Sequence, residues 1–119
     1  MTIYLAGPMR GYPAGNATAF AYWTARLREL GHEVLDPAAH ELTLGYDPGT
    51  RPIRDCLLDD MSYILREADA VVVLDGWERS RDALVEVHAA WCCDIPVYRV
   101  LDVLTGALTP IPFPDPAPA

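Results

Sequence analysis

Four short apolar runs along the chain alternate with three longer stretches in which apolar residues recur every three or four positions. The first run, Ile3-Tyr4-Leu5-Ala6, stops abruptly at Gly7-Pro8, the behaviour of a buried strand closed by a turn. After a Gly/Pro-rich loop from Met9 to Gly15, Asn16 stands where a helix cap belongs. Phe20, Trp23, Leu27 and Leu30 then mark one helical face, and Gly31 closes it. Residues 32–35 form a second short run, ended by Asp36-Pro37. From Ala38 to Pro52 no period holds, and Gly45, Pro48, Gly49 and Pro52 interrupt the chain, so one long loop is predicted. A second helix follows from the Ile53, Leu57, Met61, Ile64, Leu65 and Ala68 stripe. Ala70-Val71-Val72-Val73-Leu74 reads as a central strand covered on both faces. Asp75-Gly76-Trp77 turns into a third helix from Ser80 to about Cys93, and Ile95 to Val100 supplies the last strand.

Strands over 2–6, 32–35, 69–74 and 95–100, separated by helices, predict one α/β domain over residues 1–103. Its expected architecture is a doubly wound, mainly parallel sheet of Rossmann or flavodoxin-like type, with helices on both faces. Residues 104–119 carry prolines at 110, 112, 114, 116 and 118 and are expected to be an extended or disordered tail. In such a fold a ligand sits outside the carboxyl ends of the strands. The loops at 7–15, 36–52 and 75–81 are therefore where chemistry is expected.

With 119 residues, 51% of them apolar and 22% charged, the chain is long enough for one sizeable core. Seventeen acidic against nine basic side chains leave a charge of −8, which disfavours a nucleic-acid polymer as partner. No apolar run reaches the ~18 residues that a membrane span needs. The N-terminus lacks the basic stretch of a secretory signal, so a cytoplasmic protein is expected. Three cysteines, two of them adjacent (Cys92 and Cys93), do not make a disulfide framework. The scattered His32, His40 and His88 do not match metal-ligand spacing, and neither a metal nor a cofactor is expected.

Candidate chemistry concentrates on the second and third helices. Around helix three, Glu86 lies about 100° from the centre of the Ala83/Val87/Ala90/Trp91 stripe, with His88 on the opposite flank. Asp82 shares the Glu86 side, four positions earlier. Around helix two, Asp60 lies about 70° from the apolar centre, half-shielded, whereas Asp59 faces nearly away from it. A carboxylate pair of this kind suits acid/base or nucleophilic work, although acids at such positions are commonly solvated. The first loop (Gly7, Pro8, Met9, Arg10, Tyr12) matches neither a dinucleotide nor a P-loop fingerprint, but its glycines allow a ligand close to the backbone. Gly76, Trp77, Ser80, Arg81 and Asp82 complete the expected ligand contacts. There the start of helix three favours an anion, and Ser80 equally suits a plain helix cap.

Together these residues resemble the nucleoside 2-deoxyribosyltransferase-like superfamily, and within it a small domain of unknown function, DUF4406, found in phages and bacteria. The resemblance rests on Ile3-Tyr4-Leu5-Ala6-Gly7-Pro8-Met9 with Gly11-Tyr12-Pro13, on Leu30-Gly31-His32-Glu33-Val34 with Asp36-Pro37, and on Ala68-Asp69-Ala70-Val71-Val72. Gly76-Trp77-Glu78-Arg79-Ser80-Arg81, Ala83, Glu86 and Ile95-Pro96-Val97 complete it. It implies cleavage of the N-glycosidic bond of a (deoxy)nucleoside or its 5′-monophosphate, with Glu86 as nucleophile and Asp60 assisting departure of the base. Water as acceptor would make a hydrolase, and a second base a transferase. The alternative is a non-catalytic nucleotide-binding or sensing module using the same cleft. Where the narrower group reads Ser-Arg-Gly-Ala, this chain has Ser80-Arg81-Asp82-Ala83, so a carboxylate stands where a phosphate would lie. Either the ligand lacks a phosphate there, or Arg10 and Arg81 offset the charge, or the activity has drifted. The resemblance also implies a homo-oligomer, for which Tyr12, Trp23 and Trp77 are candidate exposed aromatics.

Overall fold

The computed structural model describes residues 1–114. All four predicted strands form, slightly trimmed: β1 (Thr2–Ala6), β2 (Glu33–Leu35), β3 (Ala70–Val73) and β4 (Val97–Arg99). They make one all-parallel sheet in the order β2-β1-β3-β4, the arrangement of a Rossmann or flavodoxin-like fold. The three predicted helices are α1 (Ala17–Glu29), α3 (Ile53–Glu67) and α4 (Arg81–Cys92). Two further helices are α2 (Pro37–Thr43) and α5 (Val100–Thr105). No helix among the described residues is long and apolar enough to cross a membrane.

Alternation along the strands sorts the core into two layers. Ile3 and Leu5 of β1 and Val72 of β3 face α1 and α5, packing with Phe20, Leu27, Val100 and Val103. Tyr4 and Ala6, with Val71 and Val73, face α3 and α4 and meet Ile64, Ala83, Val87 and Ala90. The middle of β1 therefore delivers the Tyr4 ring between the two helices that carry Asp60 and Glu86.

The stretch from 38 to 52 is not the single loop its sequence predicts. Asp36 caps α2 by accepting the N–H groups of Ala38 (2.9 Å) and Ala39 (3.2 Å), and Pro37 starts the helix with its fixed backbone angle. The Asp-Pro pair thus begins a helix as well as ending a strand. The last strand is likewise shorter than predicted, because Val100, Val103 and Leu104 turn the chain into α5, which Gly106 ends in a left-handed conformation. Asn16 does precede α1, but with a left-handed backbone, and its side-chain amide donates to the Pro8 carbonyl instead of capping the helix (3.0 Å).

Past α5 the chain runs beside β4. The Ile111 N–H donates to the Val97 carbonyl (2.7 Å), the Trp91 indole N–H donates to the Ile111 carbonyl (2.9 Å), and the Phe113 ring meets Trp91 edge-on. Of the stretch predicted as a tail, Leu104 and Thr105 belong to α5, Ile111 and Phe113 make these contacts, and the last five positions lie outside the described residues. On the other side of the sheet, the Arg28 guanidinium donates to the Val34 carbonyl (3.0 Å).

The segment 44–52 is seated against the first loop, most tightly at Gly15. That residue has φ +61, and a Cβ built on it would stand 2.2 Å from the Pro48 carbonyl oxygen. Gly15→Ala is therefore expected to cost about 2 kcal/mol or more, through backbone strain and a displaced segment. A thermal melt checks this, and an unchanged midpoint would show that the contact carries no weight.

Candidate active site

The strand order reverses between β1 and β3, and their carboxyl ends open the crevice where α/β sheets bind ligands. On the α3/α4 side of this crevice Glu86 and Asp60 are both buried, at 3% and 8% exposure. The Tyr4 hydroxyl, itself 1% exposed, donates to Glu86 Oε2 at 2.7 Å. Burial pushes both carboxyl groups above their ordinary range, and the Asp60 charge pushes Glu86 further. The Tyr4 hydrogen bond partly opposes the rise at Glu86. Burial and the neighbouring charge thus both favour the protonated form at this pair, Glu86 more strongly than Asp60. Burial keeps the Tyr4 hydroxyl itself far above its ordinary value, so it is a permanent donor.

The sequence puts Glu86 on a flank of its helix, at about 100° from the apolar centre. It is buried because α3 packs along α4 and closes that flank. The cavity in front of the pair is small, about 20 Å³, room for a single water. Its far wall is Glu41 of α2, 4% exposed, whose carboxyl is raised by burial and held back by the N–H groups of Gly49 and Arg51. The Cys56 thiol of α3 points at Glu41 Oε1 (3.9 Å) and is pushed up to about 11, chiefly by burial.

Arg10 closes the cavity. Its guanidinium donates to the Gly49 carbonyl (3.3 Å) and to the Arg51 carbonyl, and its Nε lies 3.5 Å from Asp82 Oδ2. That last approach is close enough for charge pairing but not aligned as a hydrogen bond, and the buried Nε has no acceptor among the described residues. Beyond Arg10 lies an outer pocket of about 220 Å³ lined by Pro8, Arg10, Tyr12, Arg79, Ser80, Arg81 and Asp82. Three of the nine arginines of this acidic chain thus meet at one opening, beside the start of α4. Ser80 is the helix cap, its Oγ accepting the Ala83 N–H at 3.3 Å. Gly76, with φ +87, lets the turn after β3 approach the Tyr12 hydroxyl, which a Cβ would meet at 3.2 Å.

Of the residues singled out in the sequence, Gly7, Met9, Arg10, Asp60, Ser80, Asp82 and Glu86 line the inner cavity, and Pro8, Tyr12 and Arg81 the outer pocket. Trp77 is not an exposed aromatic: it is buried against Trp91, and with Gly76 it lines a separate pocket beside Arg99. His88 meets Trp91 and Phe113 edge-on, away from the pair. Tyr4, Glu41 and Cys56 were not singled out. Tyr4 reads as an ordinary apolar strand position, and a seven-residue helix gives too short a period to orient Glu41. Among the described residues no group of three or more His, Cys, Asp or Glu side chains is arranged to hold a metal ion.

The family model for a domain of unknown function, DUF4406, matches residues 1–99. The chain belongs to the DUF4406 family. Neither the curated proteins nor the solved structures contain a significant match to it. The crevice of this DUF4406 domain holds a buried carboxyl pair with raised pKa values, a phenolic donor, and an arginine-lined outer pocket in front of the narrow inner cavity.

Proposed function

We propose that this DUF4406 domain cleaves the N-glycosidic bond of a nucleoside or its 5′-monophosphate, with Glu86 as nucleophile and Asp60 as proton donor. The observation that carries the reading is the buried pair itself. With a proton on Asp60 and the Tyr4 hydroxyl on Oε2, Glu86 presents a carboxylate oxygen to the anomeric carbon. In the first step the bond from that carbon to the base nitrogen breaks. Its electron pair stays on the nitrogen, which takes the proton from Asp60, while a Glu86 oxygen bonds to the sugar. In the second step water attacks the sugar carbon, its proton passes to Asp60, and Glu86 is released. A second base in place of water gives transfer.

A cavity of about 20 Å³ does not hold a sugar, so turnover requires the mouth to open. The same closure favours a second reading, in which a nucleotide occupies only the outer pocket and is sensed without being cut. One experiment separates the two. The protein is incubated with ribo- and deoxyribonucleosides and their 5′-monophosphates, and free base is sought by chromatography alongside thermal-shift binding. Free base from any of them supports catalysis. Binding without free base selects the sensing reading, and neither result would leave the crevice without a nucleotide role.

Asp82 bears on the phosphate state. Its carboxylate faces the outer pocket and is partly exposed, so its repulsion of a phosphate is screened to about 1 kcal/mol. Asp82→Asn is expected to tighten a 5′-monophosphate about fivefold relative to its nucleoside, as read by calorimetric titration. An unchanged ratio would place the phosphate away from the start of α4.

A further inference from the structure

We propose that Arg10 is a displaceable latch, which holds segment 44–52 shut over the carboxyl pair until a phosphate monoester in the outer pocket draws its guanidinium away. The inference rests on the reading of the crevice as a nucleotide site and adds what decides entry to it: ligands that carry the anion open the inner cavity, and those that lack it do not.

The geometry around the segment is that of a clamped flap. Arg10 donates to the Gly49 and Arg51 carbonyls, and its guanidinium also lies 3.7 Å from the Cys56 Sγ of α3. Gly49 forms part of the wall in front of Asp60 and Glu86, so moving it widens the cavity. Gly45, at φ +88 with open space around it, carries a left-handed backbone that glycine adopts without strain, at one end of the segment.

The Arg10 end of the clamp is the replaceable one. Its acceptors are two neutral carbonyls and one misaligned carboxylate, and its Nε is buried without an acceptor. A phosphate dianion offers the guanidinium two parallel charge-assisted bonds, each roughly twice as strong as a neutral one. The outer pocket already shares Arg10 with Arg79 and Arg81, so an anion held there competes directly for the same fork.

Cys56 makes the latch measurable without turnover. Its thiol is buried in the inner cavity wall, 3.7 Å behind the Arg10 guanidinium, whereas Cys92 and Cys93 are exposed. With Cys92 and Cys93 replaced by serine, the rate of Cys56 alkylation in mildly alkaline buffer reports opening. Inorganic phosphate or a nucleoside monophosphate is expected to speed alkylation at least about fivefold over chloride at equal ionic strength, the lower end of coupling between sites. The nucleoside alone is expected to have no effect. Arg10→Met should alkylate fast with or without phosphate, and the Arg79→Met/Arg81→Met pair should stay slow in both. Circular dichroism confirms that each variant is folded.

An unaltered or slower rate with phosphate, equal acceleration by the nucleoside, or an Arg10→Met protein as slow as the parent would overturn the latch. The phosphate response is also expected in Glu86→Gln, which cannot form the glycosyl ester. A protein that opens to phosphate yet releases no base keeps the latch and loses the catalytic reading.

Discussion

Replacing Glu86 by glutamine is expected to lower base release by about 10⁴-fold or more, while the protein still folds and still binds its ligand. The amide keeps the volume of the carboxyl group, which matters because Glu86 is buried at 3% exposure and truncation to alanine would leave a cavity. Glutamine also keeps an oxygen for the Tyr4 hydroxyl and supplies an N–H where a carboxyl proton lay, so the hydrogen bonds around it persist. What it removes is the oxygen that bonds to the sugar, and with it the two-step route. Asp60→Asn should cost less, about 10²- to 10⁴-fold, the usual worth of a proton donor. His88→Ala, whose ring lies against Trp91 and Phe113, should leave the rate unchanged. Base release at matched concentration, with melts as the folding control, checks all three. An active Glu86→Gln protein, or a folded but inactive His88→Ala one, would remove Glu86 from the role of nucleophile.

The same substitution should change how stability depends on pH. Below the ordinary carboxyl range, near 4, folded and unfolded chains both carry the protons of Glu86 and Asp60, and the pair contributes nothing. As pH rises through that range the unfolded carboxyls ionise while the buried carboxyls stay protonated. The unfolded state then binds fewer protons than the folded one, so stability falls with rising pH until the folded pair also ionises. Each pH unit in that window costs about 1.4 kcal/mol per retained proton. The wild-type protein is expected to melt higher at about pH 5 than at about pH 8, and Glu86→Gln to show a smaller difference, reduced by the share that Glu86 contributes. Burial also raises Asp60, Glu41 and Asp36, but all three remain in the variant, so the comparison between the two proteins isolates Glu86. Parallel pH profiles for the two would show that Glu86 does not hold its proton.

The strands and the three long helices were legible because each buries a face whose period is written in the chain. The all-valine centre of β3 and the Ile53-to-Leu65 stripe need no tertiary information. Glu86 and Asp60 could be placed on the correct helices, but their depth could not: a flank residue is wet or dry according to whether another helix lies along it, and α3 lies along α4. Segment 44–52 was placed correctly as irregular, yet its attachment to Arg10 joins a side chain to backbone carbonyls about 40 positions away (|i−j| 39 and 41), and no residue type is required to offer a carbonyl. The helices α2 and α5 span seven and six residues, too short for periodicity, although Asp36-Pro37 and Gly106 mark their ends.

The pairing of Ile111 with Val97 has a consequence for how copies of this molecule can meet. A parallel sheet has two outermost strands whose free backbone groups invite a strand from a neighbour, the usual start of open-ended association. Here β4 gives its Val97 carbonyl to Ile111, and β2 gives its Val34 carbonyl to Arg28. A foreign strand arriving at either border would have to displace a partner from the molecule's own chain. Edge-to-edge extension of the sheet is disfavoured at those two carbonyls.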